Sequence, residues 1–169
     1  MTTTIIRSLS PEEWMSYKAL RLEALKNDPD SFGSLYEENI DKTEERWRTE
    51  LTSSQGWKVF AEIDSEIVGM AAAYCVPTDV GSIAAHLVGV YTKPAFRGRG
   101  IAGLLILSLI KVIKADGKIN ILALEVNKEA ASAVRLYEKM GFVYGVPVPD
   151  YVRNDGAAFP QYAMSMKLF

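Results

Sequence analysis

One cysteine and one histidine in 169 residues exclude several chemistries at once. Cys75 has no partner for an internal disulfide, so a reducing cytoplasm is the expected compartment. A lone histidine and a lone cysteine leave no cluster with structural-zinc spacing, and no metal is expected. Charge of one sign is lacking too: 19 Lys and Arg face 21 Asp and Glu, for a net charge of -2. Without a basic surplus there is no electrostatic footprint for nucleic acid, which is not expected as a partner. Long apolar runs are missing as well. The longest apolar helical stretch, residues 101–110, falls short of the roughly 20 residues that a membrane span needs, so no membrane partner is expected. Residues 1–7 lack the basic segment and apolar stretch of a signal peptide. Nor is there a repeat, a low-complexity tract or a Pro/Gly/Ser linker. With 49% hydrophobic residues, the chain reads as a single domain over residues 1–169 with a real core.

The elements follow from periodicity and punctuation. A β-branched run over residues 2–6 predicts an opening strand. Ser10-Pro11-Glu12-Glu13 then supplies an N-cap, an N1 proline and a capping-box glutamate for a helix ending near Asn27, with Tyr17, Leu20 and Ala24 on one face. Pro29 breaks it, residues 30–38 read as a loop, and a second helix starts near Thr43. Trp57, Val59, Ala61 and Ile63 alternate with charged residues as in a strand with one wet face, although Phe60 breaks the pattern. Asp64-Ser65-Glu66 reads as a hairpin turn, and strands over 67–76 and 83–92, joined by a turn at 77–82, complete an antiparallel meander. Helix 100–115, strand 119–126, helix 129–140, strand 142–146 and a last alternating strand through Tyr162, Met164, Met166 and Leu168 follow. Gly156 reads as a hairpin.

The segment Val90-Tyr91-Thr92-Lys93-Pro94-Ala95-Phe96-Arg97-Gly98-Arg99-Gly100-Ile101-Ala102-Gly103 carries the most chemistry. It is a strand, a turn and a helix start. The first turn of a helix leaves about four N–H groups without intrahelical partners, at the positive end of the peptide dipoles. Glycines at 98, 100 and 103 clear side chains from that spot, and Arg97 and Arg99 add cationic donors, so the turn can hold a phosphate. An isolated Arg-Gly-Arg-Gly string would more often be a solvated loop. Here an apolar strand enters it, Pro94 stiffens the approach, and an almost uniformly apolar helix, expected to be buried, leaves it. Neither Gly-x-x-x-x-Gly-Lys-Ser/Thr nor Gly-x-Gly-x-x-Gly occurs, which disfavours other nucleotide loops.

Arg97-Gly98-Arg99-Gly100-Ile101-Ala102 is similar to the Arg/Gln-x-x-Gly-x-Gly/Ala signature of the GNAT superfamily of N-acetyltransferases. Leu124-Glu125-Val126-Asn127 and Leu136-Tyr137-Glu138-Lys139-Met140-Gly141-Phe142 resemble its second motif at the right separation. The resemblance covers most of the chain. It implies an α/β fold with a mixed sheet of roughly six to seven strands flanked by about four helices, and a V-shaped cleft opened by a β-bulge. It also implies acetyl-CoA as co-substrate. Val90, Tyr91 and Thr92 would bond pantetheine amides through their backbone, and Gly98, Arg99, Gly100, Ile101, Ala102 and Gly103, with Arg97, would hold the pyrophosphate. The family's asparagine seven residues before the tyrosine is replaced by Ala130, and Asn127 is the candidate to make its contact.

Acetyl transfer needs a neutral amine, yet an amine with pKa near 10.4 is only about one part in two thousand neutral at pH 7. A base therefore helps, and a donor near the sulfur helps the thiolate leave. Tyr137 matches the residue that the family places against the sulfur, although a tyrosine on such a helix could simply pack on the sheet. Backbone N–H groups near Tyr91 at the bulge would polarise the thioester carbonyl. Three readings of the base stay open: Glu125, which matches the base of the branch resembling N-terminal-alanine acetyltransferases of ribosomal proteins; His86, since an imidazole titrates near neutrality; and ordered water. Phe32 and Tyr36 fall where the family builds its acceptor pocket, and the acidic run Glu37, Glu38, Asp41, Glu44, Glu45 could attract a cationic amine or could be a wet helix face. Arg135 and Lys139 read as solvated charges, and Cys75 is not placed like a nucleophile.

The expected activity is transfer of an acetyl group to a primary amine, of a small molecule or of a protein or peptide, by direct attack in a ternary complex. A non-catalytic acyl-CoA-binding sensor of the same fold is the alternative, and a plain interaction domain a third. A homodimer is a family-level expectation only.

Overall fold

Residues 3–77 and 83–169 are described by a computed structural model of the chain. The opening strand β1 is Ile5–Arg7, later than residues 2–6, of which Thr2 lies outside the described residues. The Glu13 carboxylate accepts from the Ser10 N–H at 2.8 Å, and the Pro11–Glu13 turn leads into α1, Trp14–Asn27. Residues 30–38 are less open than predicted. They hold a 3₁₀ turn at Pro29–Ser31 and, near their end, the start of a short helix, α2 (Glu37–Ile40), where the Glu38 carboxylate accepts from the Leu35 N–H. The Thr43 hydroxyl caps α3, Glu44–Thr52.

Strand β2 (Gly56–Ile63) turns through Asp64 and Ser65, both at positive φ as a two-residue hairpin turn requires, into β3 (Glu66–Pro77). Of the turn expected at 77–82, Pro77 ends β3 and residues 78–82 lie outside the described residues. After it come β4 (Ile83–Thr92), a 3₁₀ turn at Pro94–Phe96, α4 (Ile101–Asp116), β5 (Ile121–Asn127) and α5 (Ala131–Lys139). The chain ends with β6 (Val143–Tyr144), a two-stranded hairpin of β7 (Tyr151–Val152) and β8 (Ala158–Phe159) around Gly156, and β9 (Gln161–Lys167). The main sheet runs β1-β2-β3-β4-β5-β9-β6, antiparallel except between β4 and β5.

Both faces of the sheet are covered, which explains why Phe60 breaks the alternation of β2. Val59, Ala61 and Ile63 pack with α4, whereas Phe60 packs with Tyr17, Leu20 and Trp47 of α1 and α3. The strand was read as wet on one face because its charged residues share the side that holds Phe60. Helix α4 is not buried all round. Ile101, Leu105, Ile106, Leu109 and Ile113 face the sheet, while Leu104 and Leu107 are 45% and 59% exposed.

Candidate active site

Strands β4 and β5 are hydrogen-bonded neighbours at only two steps, Ala85 with Leu122 and His86 with Ala123. Two features hold the strands apart beyond that point. Strand β5 is fully engaged on its other edge, pairing with β9 from Ile121 to Asn127. Strand β4 carries a bulge: Ala72 faces Val88 and Met70 faces Tyr91, so Gly89 and Val90 together stand opposite Ala71. Gly89 takes φ +64°, which an L side chain resists. A cleft of about 730 Å³ opens between residues 87–90 of β4 and 125–127 of β5 and connects the two faces of the sheet.

The bulge reverses the alternation of β4. Ala85 and Leu87 point to the α4 side, but Tyr91 points to the α1 side, where Asn27 donates to its hydroxyl and that hydroxyl donates to Glu23. Thr92 is buried, and among the described residues its Oγ1 has no hydrogen-bond partner.

Past Thr92, the turn leaves a row of donors open. Gly98 and Gly100 take φ +74° and +77°, and a Cβ on either would meet nothing within 4 Å. The first hydrogen bond of α4 runs from the Leu104 N–H to the Gly100 carbonyl. Among the described residues, the N–H groups of Gly98, Arg99, Gly100, Ile101, Ala102 and Gly103 meet no acceptor. Unpaired donors around a side-chain-free hollow at a helix start fit a pyrophosphate. The two arginines are more occupied than a free phosphate clamp would be. Arg97 pairs with Asp28, donates from Nε to the Thr92 carbonyl at 2.9 Å and lies over the Tyr91 ring. Arg99 donates to the Ala95 carbonyl and lies over Phe96.

On the α4 side, Tyr137 of α5 lines the cleft. Its ring packs edge-on against Phe142 with centroids 5.6 Å apart, and burial pushes its phenol up to about 12, above the ordinary value near 10. It therefore stays protonated across the neutral and moderately alkaline range. The Asn127 side chain accepts from the Glu129 N–H at 3.0 Å and holds the turn into α5, where Ala130 is the cap residue.

On the α1 side, register joins two of the three candidate bases. His86 and Glu125 point to the same face from adjacent strands, and His86 Nε2 lies 2.7 Å from Glu125 Oε2. The Tyr74 ring packs on His86 at 5.3 Å, and burial together with the Glu125 charge raises its phenol. Phe32 is buried in the same cleft beneath the Arg21 guanidinium, whereas Tyr36 stands outside it, under Lys26. None of the acidic residues from Glu37 to Glu45 lines the cleft; Glu38 and Glu44 are engaged with Asn154 and Arg48.

Sequence reasoning missed Arg21, Lys58 and Tyr74 in this wall. The break at Phe60 is the signal that could have found Lys58, because the face that buries Phe60 also turns Lys58 inward. Among the described residues no group of side chains forms a metal site, and no helix is long and apolar enough to cross a membrane.

The profile of the acetyltransferase (GNAT) family matches residues 17–142. No curated protein matches the chain. Among solved structures, an acetyltransferase of the GNAT family from Streptococcus pneumoniae superposes with a TM-score of 0.81 at 22% identity, covering 98% of this chain and 99% of that one. The ribosomal-protein-alanine N-acetyltransferase from Brucella melitensis gives 0.79 at 20% identity over 96% and 99%. NAA60 of Arabidopsis thaliana, solved in complex with acetyl-CoA, gives 0.74 at 18% identity over 98% of both chains. These likenesses show the fold, and the profile, which spans both the turn before α4 and Tyr137, shows the family: the chain belongs to the acetyltransferase (GNAT) family.

Proposed function

We propose that the protein is an acetyl-CoA-dependent N-acetyltransferase in which a primary amine attacks the thioester directly, with both substrates bound. The supporting observation is that one opening through the sheet has a neutral phenol, Tyr137, on one face and the His86–Glu125 pair on the other. Acetyl-CoA supplies an activated acetyl group, and its diphosphate fits the open N–H groups of residues 98–103. The exposed free thiol of Cys75 supports a reducing, cytoplasmic setting.

The amine enters from the α1 side and gives up a proton, directly or through water, to the His86–Glu125 pair. Its lone pair forms the C–N bond, and N–H groups at the Gly89–Val90 bulge face the carbonyl oxygen as charge builds there. The C–S bond breaks and the departing sulfur takes the Tyr137 proton; the excess proton on the nitrogen of the tetrahedral intermediate passes through solvent to the tyrosine oxygen, and the proton on the pair returns to solvent. A phenol near 12 is a weaker acid than a thiol near 8.5, so Tyr137 donates in step with bond breaking and does not ionise beforehand.

Tyr137→Phe removes that proton and keeps the ring against Phe142. The expected result is a fall in kcat of about 10², the low end of the range for a positioned acid, with acetyl-CoA affinity little changed. Because Tyr137 is neutral to about 12, the fall should be the same from pH 7 to 10. Full kcat under conditions where chemistry limits turnover would make Tyr137 a packing residue. Acetyl-CoA binding with no release of CoA thiol to any amine would favour the sensor reading.

A further inference from the structure

The wall of the cleft on the α1 side holds two cations with no carboxylate in direct contact. Arg21 is turned inward from α1, donates to the Ser34 hydroxyl at 3.0 Å and lies 4.8 Å from the Phe32 ring centre. Lys58 projects from β2 and donates to the Glu50 backbone carbonyl at 2.7 Å. Burial lowers the proton affinity of both.

Every carboxylate in the cleft is engaged elsewhere. Glu50 takes Lys42 at 2.8 Å and the Tyr17 hydroxyl at 3.1 Å, Glu125 takes His86, and Asp30 at the rim lies 3.8 Å from Arg153. Among the described residues, no carboxylate oxygen comes within 4.0 Å of Arg21 or Lys58. Glu50 attracts both cations, yet its oxygens are held by Lys42 and Tyr17. A half-buried cation with no carboxylate in direct contact is costly to keep, so such a pair in a ligand cleft fits an anion that arrives with the ligand.

The geometry sets where that anion sits. Lys58, Ala72 and Val88 stand in one row across β2, β3 and β4, and Tyr74 and His86 stand in the next row on the same face. A Cβ on Gly89 would lie 3.9 Å from Arg21 Nη1, so the guanidinium edge hangs over the bulge itself, where β4 leaves β5. Gly89 has no side chain to fill that space. The anionic group is therefore within a few bonds of the nitrogen that attacks at the bulge.

We propose that the acceptor is a small amino acid-type molecule, an amine carrying a nearby carboxylate, with the carboxylate held by Arg21 and Lys58 and the amine directed to the opening beside His86 and Glu125. This rests on the N-acetyltransferase reading and narrows its acceptor. Polyamines, and amines of which the neighbouring acid is masked as an amide, lack the group that this wall binds.

The test measures release of CoA thiol from acetyl-CoA with the twenty free L-amino acids, each beside its carboxamide, and with spermidine as a cationic control. At least one acid should exceed its carboxamide in kcat/KM by about 10² or more, because the amide leaves a half-buried charge pair without its anion. Arg21→Gln should bring that ratio down toward one, and Lys58→Met should lower it, while both variants keep the thermal shift produced by CoA as evidence of folding. Carboxamides or spermidine turned over as well as the acids would overturn the proposal and leave N-acetyl transfer standing. If no amine releases CoA, titration calorimetry of the same acids into CoA-saturated protein decides. Binding that Arg21→Gln removes would support the anion site and sink the transfer reading, and no binding by any acid would sink the anion site too.

Discussion

Replacing Gly103 by glutamate separates the phosphate site from the fold, because the two should respond with opposite sign. Gly103 is in the first turn of α4, and a Cβ there would meet only Leu136 Cδ1, at 4.0 Å. Nothing is strained. A glycine inside a helix is less stable than alanine by about 0.5–1 kcal/mol, and a carboxylate in the first turn gains roughly 0.3–1 kcal/mol from the helix dipole. The ligand-free variant should thus be more stable than the parent by about 1 kcal/mol, or about 2–4 °C in Tm for a chain of this size. Its carboxylate would occupy the hollow lined by the open N–H groups of residues 98–103 and repel a pyrophosphate. A ligand at a hundredfold excess over its Kd stabilises the parent by about 2.7 kcal/mol, roughly 5–10 °C. In the variant that shift should vanish. Gly100→Glu would be a poorer experiment, since Gly100 sits at φ +77° and any side chain there strains the backbone. Thermal melts with and without CoA, at fixed protein and salt concentration, provide the assay. A Gly103→Glu protein that melts no lower than the parent and keeps the full CoA shift would refute the placement of the phosphate site.

Two other perturbations follow from single contacts. His86→Gln and Glu125→Gln should each lower kcat, and the double variant should fall within about threefold of the worse single one, because groups 2.7 Å apart that act as a unit are not additive; effects that multiply would show independent roles. Hydrogen bonds from Arg7 and from the Ser10 backbone hold the Glu13 carboxyl down at about 2, against 4.5 ordinarily. Its folded value is the lower one, so its contribution is present above pH 4.5 and lost as pH falls toward 2. With Glu13 about one-third exposed, that contribution is screened to about 1 kcal/mol. Glu13→Gln should cost this much in urea unfolding at pH 7, with the gap closing between pH 4.5 and 2; a constant gap would contradict the assignment.

The turn before α4 was legible in the sequence because its features are local: glycines, arginines and a helix start stand within a few residues of one another. Strand 83–92 was legible for the same reason, as β-branched and apolar residues between turn signals. The His86–Glu125 pair was not, since it depends on β4 and β5 meeting at His86 and Ala123, a register that two separate strands do not state. The over-reading of α4 has a different cause. Uniform apolar character looks the same whether one stripe or the whole circumference is covered, and only the sheet shows that Leu104 and Leu107 are outside the contact.

Arg21 and Lys58 were hidden by the rule that usually serves best, that a cation on a helix or strand is solvated. The rule fails here because the bulge changes what the inner face of the sheet must cover. A regular β4 would continue its pairing with β5, close the gap between them and leave the α1 side an ordinary apolar interface. Gly89 at φ +64° ends that pairing, and its missing side chain leaves room for a guanidinium. The residues that look misplaced, a half-buried arginine, an inward lysine and a histidine on an apolar strand, all line the opening that this one glycine makes. Departures from local pattern that converge on one bulge point to a shared ligand, whereas isolated ones would point to separate accidents of packing.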